Sequence, residues 1–387
     1  MRRKRILALT PVLPLLLVAG GCTTGDNGGS ANKSDIVIAA SLELTGAQAE
    51  VGKVYENALR LKVEQINAGR ATDQAKVALR ISDNRSDPGT ATAQLGEIAA
   101  DPAVTAVITG ASSECLLAAA KTLNDKGVPT ISLAPASAVS TPLADRKYIF
   151  KLAPNANHDA DTLIGSLKSS NLKKIRFIAN KDAYGTDALT AMTTAANKAG
   201  LEVGTPAELS AGANPADVAA TVAAQKPDAV VVLAWPAAAA ATVEALRKAD
   251  YKGKIALDAT AAGPLFLAGG NAQDGESLVF TQTLAIDDVI ATTPAKAAQK
   301  QWFEDYTARY GSYQAQASFA ADAVQIIVDS VDRIGSSTDH NALRATFETV
   351  RTDGLTGPIR LTPSDHSGLM PQALTLLTAR NGRWRLS

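Results

Sequence analysis

A short serine-containing loop, Gly110-Ala111-Ser112-Ser113, is the first place in the sequence where residue types and spacing could support chemistry. It joins an apolar run to an alanine-rich stretch that begins near Glu114 with helical spacing. Backbone N–H groups at a helix start, together with serine hydroxyls, can bind an anion such as a carboxylate. A serine at a helix start can equally be a structural N-cap. The spacing favours the N-cap and leaves both interpretations of Ser112 and Ser113 open.

Aromatic residues make up only 4% of the chain, so two that follow apolar runs are informative. Tyr184 and Trp235 each stand after such a run and before a helical pattern. Ligands of parallel sheets bind beyond the carboxyl ends of the strands, where these two residues would lie. A place in the core would also suit them, but we expect both rings to cover a ligand.

Groups that could carry out catalysis or hold a metal are few. His158, His340 and His366 have no cysteine or carboxylate at a metal-ligand spacing, and we expect them at the surface, the first two in polar loops. The sequence contains no phosphate-binding glycine loop, dinucleotide fingerprint, C-x-x-C motif or G-x-S-x-G turn. These observations argue against an enzyme and predict neither a cofactor nor a metal.

The N-terminus has the pattern of an export signal. Four basic residues at positions 2–5 precede a thirteen-residue apolar stretch at 6–18, which is too short to span a bilayer. Ala19-Gly20-Gly21 then stands directly before Cys22, which resembles a bacterial lipoprotein signal with Cys22 as the lipidated first residue. Ordinary cleavage that leaves a free Cys22 is the alternative. Residues 23–34 are rich in Gly, Thr, Asn and Ser and are typical of a flexible tether.

Removal of residues 1–21 leaves 34 basic and 38 acidic residues, a net charge of −4. No basic stretch follows the signal, which argues against a nucleic-acid partner. Cys115 has no partner for an internal disulfide once Cys22 is lipidated, and its apolar surroundings predict a buried, inert thiol. The remaining 366 residues exceed one typical core, so two lobes are expected.

The elements that must position these residues alternate in type. Short apolar runs predict strands at 35–41, 77–82, 104–109, 129–132, 174–179, 202–204, 229–233 and 254–257. Helical periodicity predicts helices at 51–67, 88–99, 113–126, 186–199, 215–225, 237–249, 294–310, 317–334 and 340–350, with two more strands at 358–361 and 373–379. The alternation indicates α/β architecture with parallel sheets in two blocks that divide near 148–155. The cleft between the two sheets' carboxyl edges is therefore the predicted site.

Several segments, in their order along the chain from about residue 35 onward, resemble the type I periplasmic solute-binding proteins of ABC importers for branched-chain amino acids. They are Leu44-Thr45-Gly46-Ala47-Gln48, Asp83-Asn84-Arg85-Ser86-Asp87-Pro88, Gly127-Val128-Pro129, Asp182-Ala183-Tyr184-Gly185 and Gly354-Leu355-Thr356-Gly357-Pro358. The resemblance implies two doubly wound lobes joined by three chain crossings near 153, 283 and 356. One lobe would comprise 35–153 and 284–356, and the other 154–283 and 357–387.

The resemblance also implies roles for particular residues. Ser113, beside Ser112, and Ser137, beside Ala136, are expected to bind the carboxylate of the solute. Tyr184 and Trp235 match positions of pocket aromatics. Two departures stand out: Val51 replaces an aromatic residue, and Ala259 replaces the glutamate that pairs with a ligand ammonium. An unpaired buried ammonium would cost several kcal/mol on an order-of-magnitude estimate. Either Asp258 takes that role, or the ligand is not an α-amino acid.

The sequence therefore predicts a secreted, lipid-anchored monomer that captures a small carboxylate-bearing solute, such as a branched-chain amino acid or an amide. Hinge closure would trap the solute, and a membrane permease would be the protein partner. A sensor that passes its signal to a receptor instead of a permease is the alternative.

Overall fold

The fold is given by a computed structural model that describes residues 35–263 and 275–387. The proposed lipidation site, Cys22, and the predicted tether lie outside the described residues. Within the described ranges, no helix is both long and apolar enough to cross a membrane.

The first sheet has five parallel strands in the order β2-β1-β3-β4-β5. Its strands are β1 (Ile36–Leu42), β2 (Val77–Asp83), β3 (Ala106–Thr109), β4 (Thr130–Ser132) and β5 (Ile149–Lys151). Its helices are α1 (Ala49–Gly69), α2 (Pro88–Ala100) and α3 (Ser113–Lys126). Alternate residues of β1 enter two separate apolar clusters, so helices cover both faces of this sheet.

The second sheet has eight strands, and six of them are parallel. They are β6 (Lys174–Asn180), β7 (Glu202–Val203), β8 (Ala207–Leu209), β9 (Ala229–Leu233), β10 (Lys254–Leu257) and β11 (Ser277–Thr281), followed by the antiparallel β14 (Leu374–Arg380) and β15 (Arg383–Leu386). The helices of this lobe are α4 (Ala156–Ser169), α5 (Ala183–Lys198), α6 (Pro215–Ala223) and α7 (Pro236–Lys248).

Three further helices return to the first lobe. They are α8 (Pro294–Tyr310), α9 (Ala317–Ile334) and α10 (His340–Phe347), and the small hairpin of β12 (Arg351–Asp353) and β13 (Pro358–Arg360) follows them. Helix α9 packs along α1, and α10 packs on α9. The predicted two-lobe, doubly wound α/β fold is confirmed.

The chain passes between the lobes at three places, two of which differ from the predicted positions. Residues 282–288 pack on β15, where Arg385 pairs with Asp288, so the second crossing follows this turn rather than preceding it. The third crossing lies after Leu369, because Ser367 forms a bridge with Lys151 of β5 and Leu369 forms one with Ile359 of β13. Turn contacts between distant residues set these boundaries, and local sequence patterns do not contain them.

Six elements of the structure were not predicted from the sequence: the strands β5, β8, β11, β12 and β15 and the helix α4. In α4 the apolar residues Ala160, Leu163, Ile164 and Leu167 have helical spacing, but the adjacent polar pair His158-Asp159 indicates a loop. His158 lies in this helix instead. His366 is also not at the surface, because its ring is buried and stacks on Phe150 with centroids 4.0 Å apart. The buried, unpaired state expected for Cys115 is confirmed, and burial raises the pKa of its thiol to about 11.

Candidate functional site

A cavity lies between the two lobes, and both of them contribute to its wall. The space that it leaves for the centres of water-sized molecules is ≈ 30 Å³, enough for about two waters. Its wall is mainly apolar and aromatic and consists of Val51, Tyr55, Leu133, Pro135, Ala153, Pro154, Trp235, Ala259, Thr260, Phe280, Gln316 and Phe319. No charged side chain belongs to this set.

The first lobe supplies its wall from α1 and from the start of α9. The Tyr55 hydroxyl donates to the carbonyl of Leu133 at 3.3 Å, which holds the ring in place. Gln316 donates from Nε2 to the carbonyl of Ala262 in the other lobe. Phe319 packs edge-to-face on Phe280 of β11, with ring centroids 5.9 Å apart. The helix start of α9 therefore closes one end of the cavity against the second lobe.

The second lobe supplies a hydrogen-bonded set of aromatic and acidic side chains at the carboxyl ends of its strands. Trp235 donates from Nε1 to Asp182 Oδ2 at 2.7 Å, and its ring lies 5.2 Å from that of Tyr184. The Tyr184 hydroxyl donates to Asp258 Oδ2 at 2.6 Å. These bonds orient the indole toward the cavity, while the Tyr184 hydroxyl points to a buried carboxyl group.

Buried ionisable groups surround the cavity without lining it. Burial raises the pKa of the Asp258 carboxyl to about 7 and that of Asp159 well above its ordinary value. Burial also lowers the pKa of the Lys151 ammonium to about 8. Lys151 Nζ donates to the carbonyls of Pro135 at 2.9 Å and Pro154 at 3.1 Å, so its ammonium is held behind the wall.

The serine loop at the start of α3 is occupied by groups of the protein itself. Ser112 accepts from the N–H of Cys115 and is the N-cap of α3, and Ser113 Oγ accepts from the N–H of Ala136 at 3.2 Å. The N–H of Ala111 donates to Glu43 Oε2 at 2.7 Å. Burial raises the pKa of the Glu43 carboxyl. The Glu43 carboxyl group therefore already binds one of the loop N–H groups that could otherwise bind an anion.

Two carboxylates join the lobes across the cleft, and we call this pair of contacts the interlobe clasp. Asp187 on α5 accepts through Oδ2 from the N–H of Ser137 at 3.0 Å and from its hydroxyl at 2.9 Å. In the reverse direction, Glu114 on α3 accepts from the N–H of Ala183 at 2.5 Å. Each lobe therefore places a carboxylate at the start of a helical turn of the other lobe, where the backbone N–H groups are unpaired.

A sequence model of the family described as periplasmic binding protein matches residues 35–383, most of the chain. The chain belongs to the periplasmic binding protein family. This confirms the resemblance drawn from the sequence. No curated protein sequence matches the chain significantly.

Solved structures of the same fold include several binding proteins. An extracellular ligand-binding receptor from Rhodopseudomonas palustris HaA2 is 21% identical, with a TM-score of 0.83 over 92% of this chain and 100% of that one. A leucine-binding protein from Thermotoga maritima MSB8 is 19% identical, with a TM-score of 0.78 over 91% of this chain and 97% of that one. An ABC transporter solute-binding protein from R. palustris in complex with benzoate is 18% identical, with a TM-score of 0.80 over 91% and 95%. At these identities the likeness shows the fold.

In this periplasmic binding protein, the residues predicted for the site fall into two groups. Trp235 lines the cavity, as do Val51 and Ala259, the two positions at which the sequence departs from the family pattern. The other predicted residues do not line it and instead bond to neighbouring protein groups: Ser112, Ser113, Ala136, Ser137, Tyr184 and Asp258. Their contact with a solute stays a prediction.

Sequence reasoning missed several residues of the wall and of the clasp. The run Ser277–Thr281 is apolar and β-branched, and a strand assigned there would have placed Phe280 at the cleft edge. Gln316, Phe319 and Asp187 gave no local signal. Their role depends on contacts between residues far apart in the sequence.

Proposed function

We propose that this protein is the extracytoplasmic solute-binding component of an ABC importer and holds a small, mainly apolar solute between its lobes. The observation that carries the proposal is the composition of the cavity wall, in which aromatic and aliphatic side chains of both lobes face each other with only a few polar groups. Small-molecule sites commonly combine an apolar surface with a few polar groups that orient the ligand. Thr260 and Gln316 offer such groups here.

Lobe closure is the mechanism that this arrangement supports. The cavity is too small for a solute of amino-acid size with the lobes as they stand. The lobes must therefore separate for entry and then close around the solute in a form whose cavity is wider than this one. Contacts made by both lobes then contribute to affinity only in the closed form, and this shift in population is what a permease could recognise. The wall contains no pair of nucleophile and base, which supports binding without catalysis.

The N-terminal signal supports an anchored location. A lipid on Cys22 would hold the protein at the outer face of the cytoplasmic membrane, next to the permease that is its proposed partner. We also propose that the protein acts as a monomer, as expected from the sequence.

The proposal can be tested by filling the cavity. A thermal-shift screen of leucine, isoleucine, valine, their amides, benzoate and 3,4-dihydroxybenzoate identifies a solute, whose affinity is then measured by calorimetry. We expect Ala259→Phe to weaken that affinity at least about tenfold, because the phenyl ring occupies the volume of the solute. Cellular uptake of the solute should fall in the same variant.

Ala220→Phe provides the matched control, since Ala220 is exposed on α6 and does not belong to the cavity wall. It should retain affinity and uptake. Unchanged affinity in Ala259→Phe would refute the assigned site, whereas lost affinity with normal uptake would favour the sensor over the importer.

A further inference from the structure

The backbone N–H and the hydroxyl of Ser137 are two hydrogen-bond donors that the sequence assigns to the carboxylate of a solute. In the structure both already bond to one oxygen of Asp187, at 3.0 and 2.9 Å. Hydrogen bonds to an ionised carboxylate are stronger than those between neutral groups. A solute carboxylate could take this place only by displacing the Asp187 carboxylate from both donors and adding a second anion beside it.

The electrostatic surroundings also disfavour a second anion. Asp258 lies close enough to Asp159 and to Asp182 for their charges to interact, and burial raises the pKa of all three. Buried carboxyl groups that resist ionisation indicate that too little positive charge lies around Asp258 to stabilise another anion there. Lys151 is the nearby cation; its charge already interacts with Asp187 and Asp159, and its ammonium is bonded to two carbonyls behind the cavity wall.

We propose that Asp187 is a specificity-determining residue, whose carboxylate occupies the Ser137 donors and excludes solutes that carry a free carboxylate. The inference rests on the proposed function and deepens it: the solute carries an uncharged polar group, such as an amide, at its polar end. It departs from the carboxylate-bearing solute that the sequence predicts.

The position of Asp187 suits this role. It lies one turn inside α5, whose N-terminus is fixed by Asp182 accepting from the N–H of Gly185 at 2.7 Å. Asp187 is only partly buried, so removal of its side chain would expose the two donors of Ser137 to small molecules from solution. The site can therefore be tested with acetate, a carboxylate that is smaller than the candidate solutes.

The first test is rescue of Asp187→Ala by acetate. The variant should be less stable than the wild type, and 0.1 M sodium acetate should raise its melting temperature by about 1 °C or more relative to sodium chloride. Acetamide, which has the same shape without the charge, should give a smaller rise. Wild type and Asp161→Ala, which removes an exposed aspartate of α4, should show no difference between acetate and chloride. An equal response of all three proteins would overturn the proposal.

The second test compares solutes of matched shape. Wild type should bind isovaleramide or benzamide at least tenfold more tightly than isovalerate or benzoate, and Asp187→Ala should reduce that ratio. Tighter binding of the carboxylates by wild type, or a ratio unchanged in the variant, would overturn the inference. If none of the four compounds binds, a failure of acetate to rescue Asp187→Ala still overturns the inference, because that test requires neither solute binding nor transport.

Discussion

Asp258 of the second lobe is a buried carboxyl group whose ionisation is disfavoured by its surroundings. Asp258 is 2% exposed, receives a hydrogen bond from the Tyr184 hydroxyl and lies near Asp159 and Asp182. Its pKa of about 7 means that the folded protein retains a proton that the unfolded chain has already released.

This difference predicts a pH dependence of stability. Between about pH 4 and pH 7 the folded state binds more protons at Asp258 than the unfolded state does, so its contribution to the free energy of unfolding falls as pH rises. Asp258→Asn keeps an acceptor for Tyr184 without titrating. Asp258 contributes up to roughly 1 kcal/mol per pH unit to the slope of unfolding free energy against pH, and we expect the variant to lose this contribution. Urea denaturation at half-unit steps from pH 4.5 to 7.5 measures it.

Other buried carboxyl groups, including Glu43 and Asp322, titrate in the same direction, so the comparison is between the slopes of wild type and variant. Identical slopes would show that Asp258 is ionised in the folded protein near neutral pH.

Among the elements, α5 must approach its sheet closely if the clasp is to form. Gly185 in its first turn packs against the backbone of Asn180 at the end of β6, and a Cβ on Gly185 would lie 2.0 Å from the Asn180 carbonyl oxygen. Because Asp187 follows two residues later, this contact sets the distance between Asp187 and Ser137.

Gly185→Ala should therefore displace the start of α5 and lower the free energy of unfolding by about 1–3 kcal/mol. Gly165→Ala is the matched control, because Gly165 is exposed inside α4 and no atom lies within 4 Å of the Cβ position. That change should instead stabilise the protein by up to about 1 kcal/mol, through helix propensity. Urea denaturation of both variants gives the comparison, and effects of the same sign would contradict the close-packing explanation.

The whole molecule combines a two-lobe binding unit with an N-terminal cysteine that precedes it by more than ten residues. Every residue of the cavity wall lies beyond position 50. Anchoring and solute binding should therefore be separable.

Cys22→Ala should move the protein from the membrane fraction to the soluble extracytoplasmic fraction and leave solute affinity unchanged. Cys115→Ala should leave the protein in the membrane fraction, because Cys115 is a buried cysteine of α3 that forms no disulfide within the described residues. Cell fractionation with labelled palmitate measures both variants. Continued membrane association and labelling of Cys22→Ala would refute lipidation at this residue.

The sequence by itself determined the fold class, because strands with both faces buried are apolar throughout and helices between them have a clear period. Most bounds agree closely, and the predicted helix 113–126 coincides with α3 (Ser113–Lys126). The sequence also placed Trp235 at the cleft, since it follows a strand of the parallel sheet, and the resemblance to the family placed Ala259 there.

Only the tertiary structure decided which groups meet across the cleft. Ser137 and Asp187 are 50 residues apart, and Glu114 and Ala183 are 69 apart. Local periodicity contains no information about such pairs, because they depend on how two separately folded sheets face each other. The serine hydroxyl and amide that suggested a site for a foreign carboxylate are the same groups that bind a carboxylate of the protein itself.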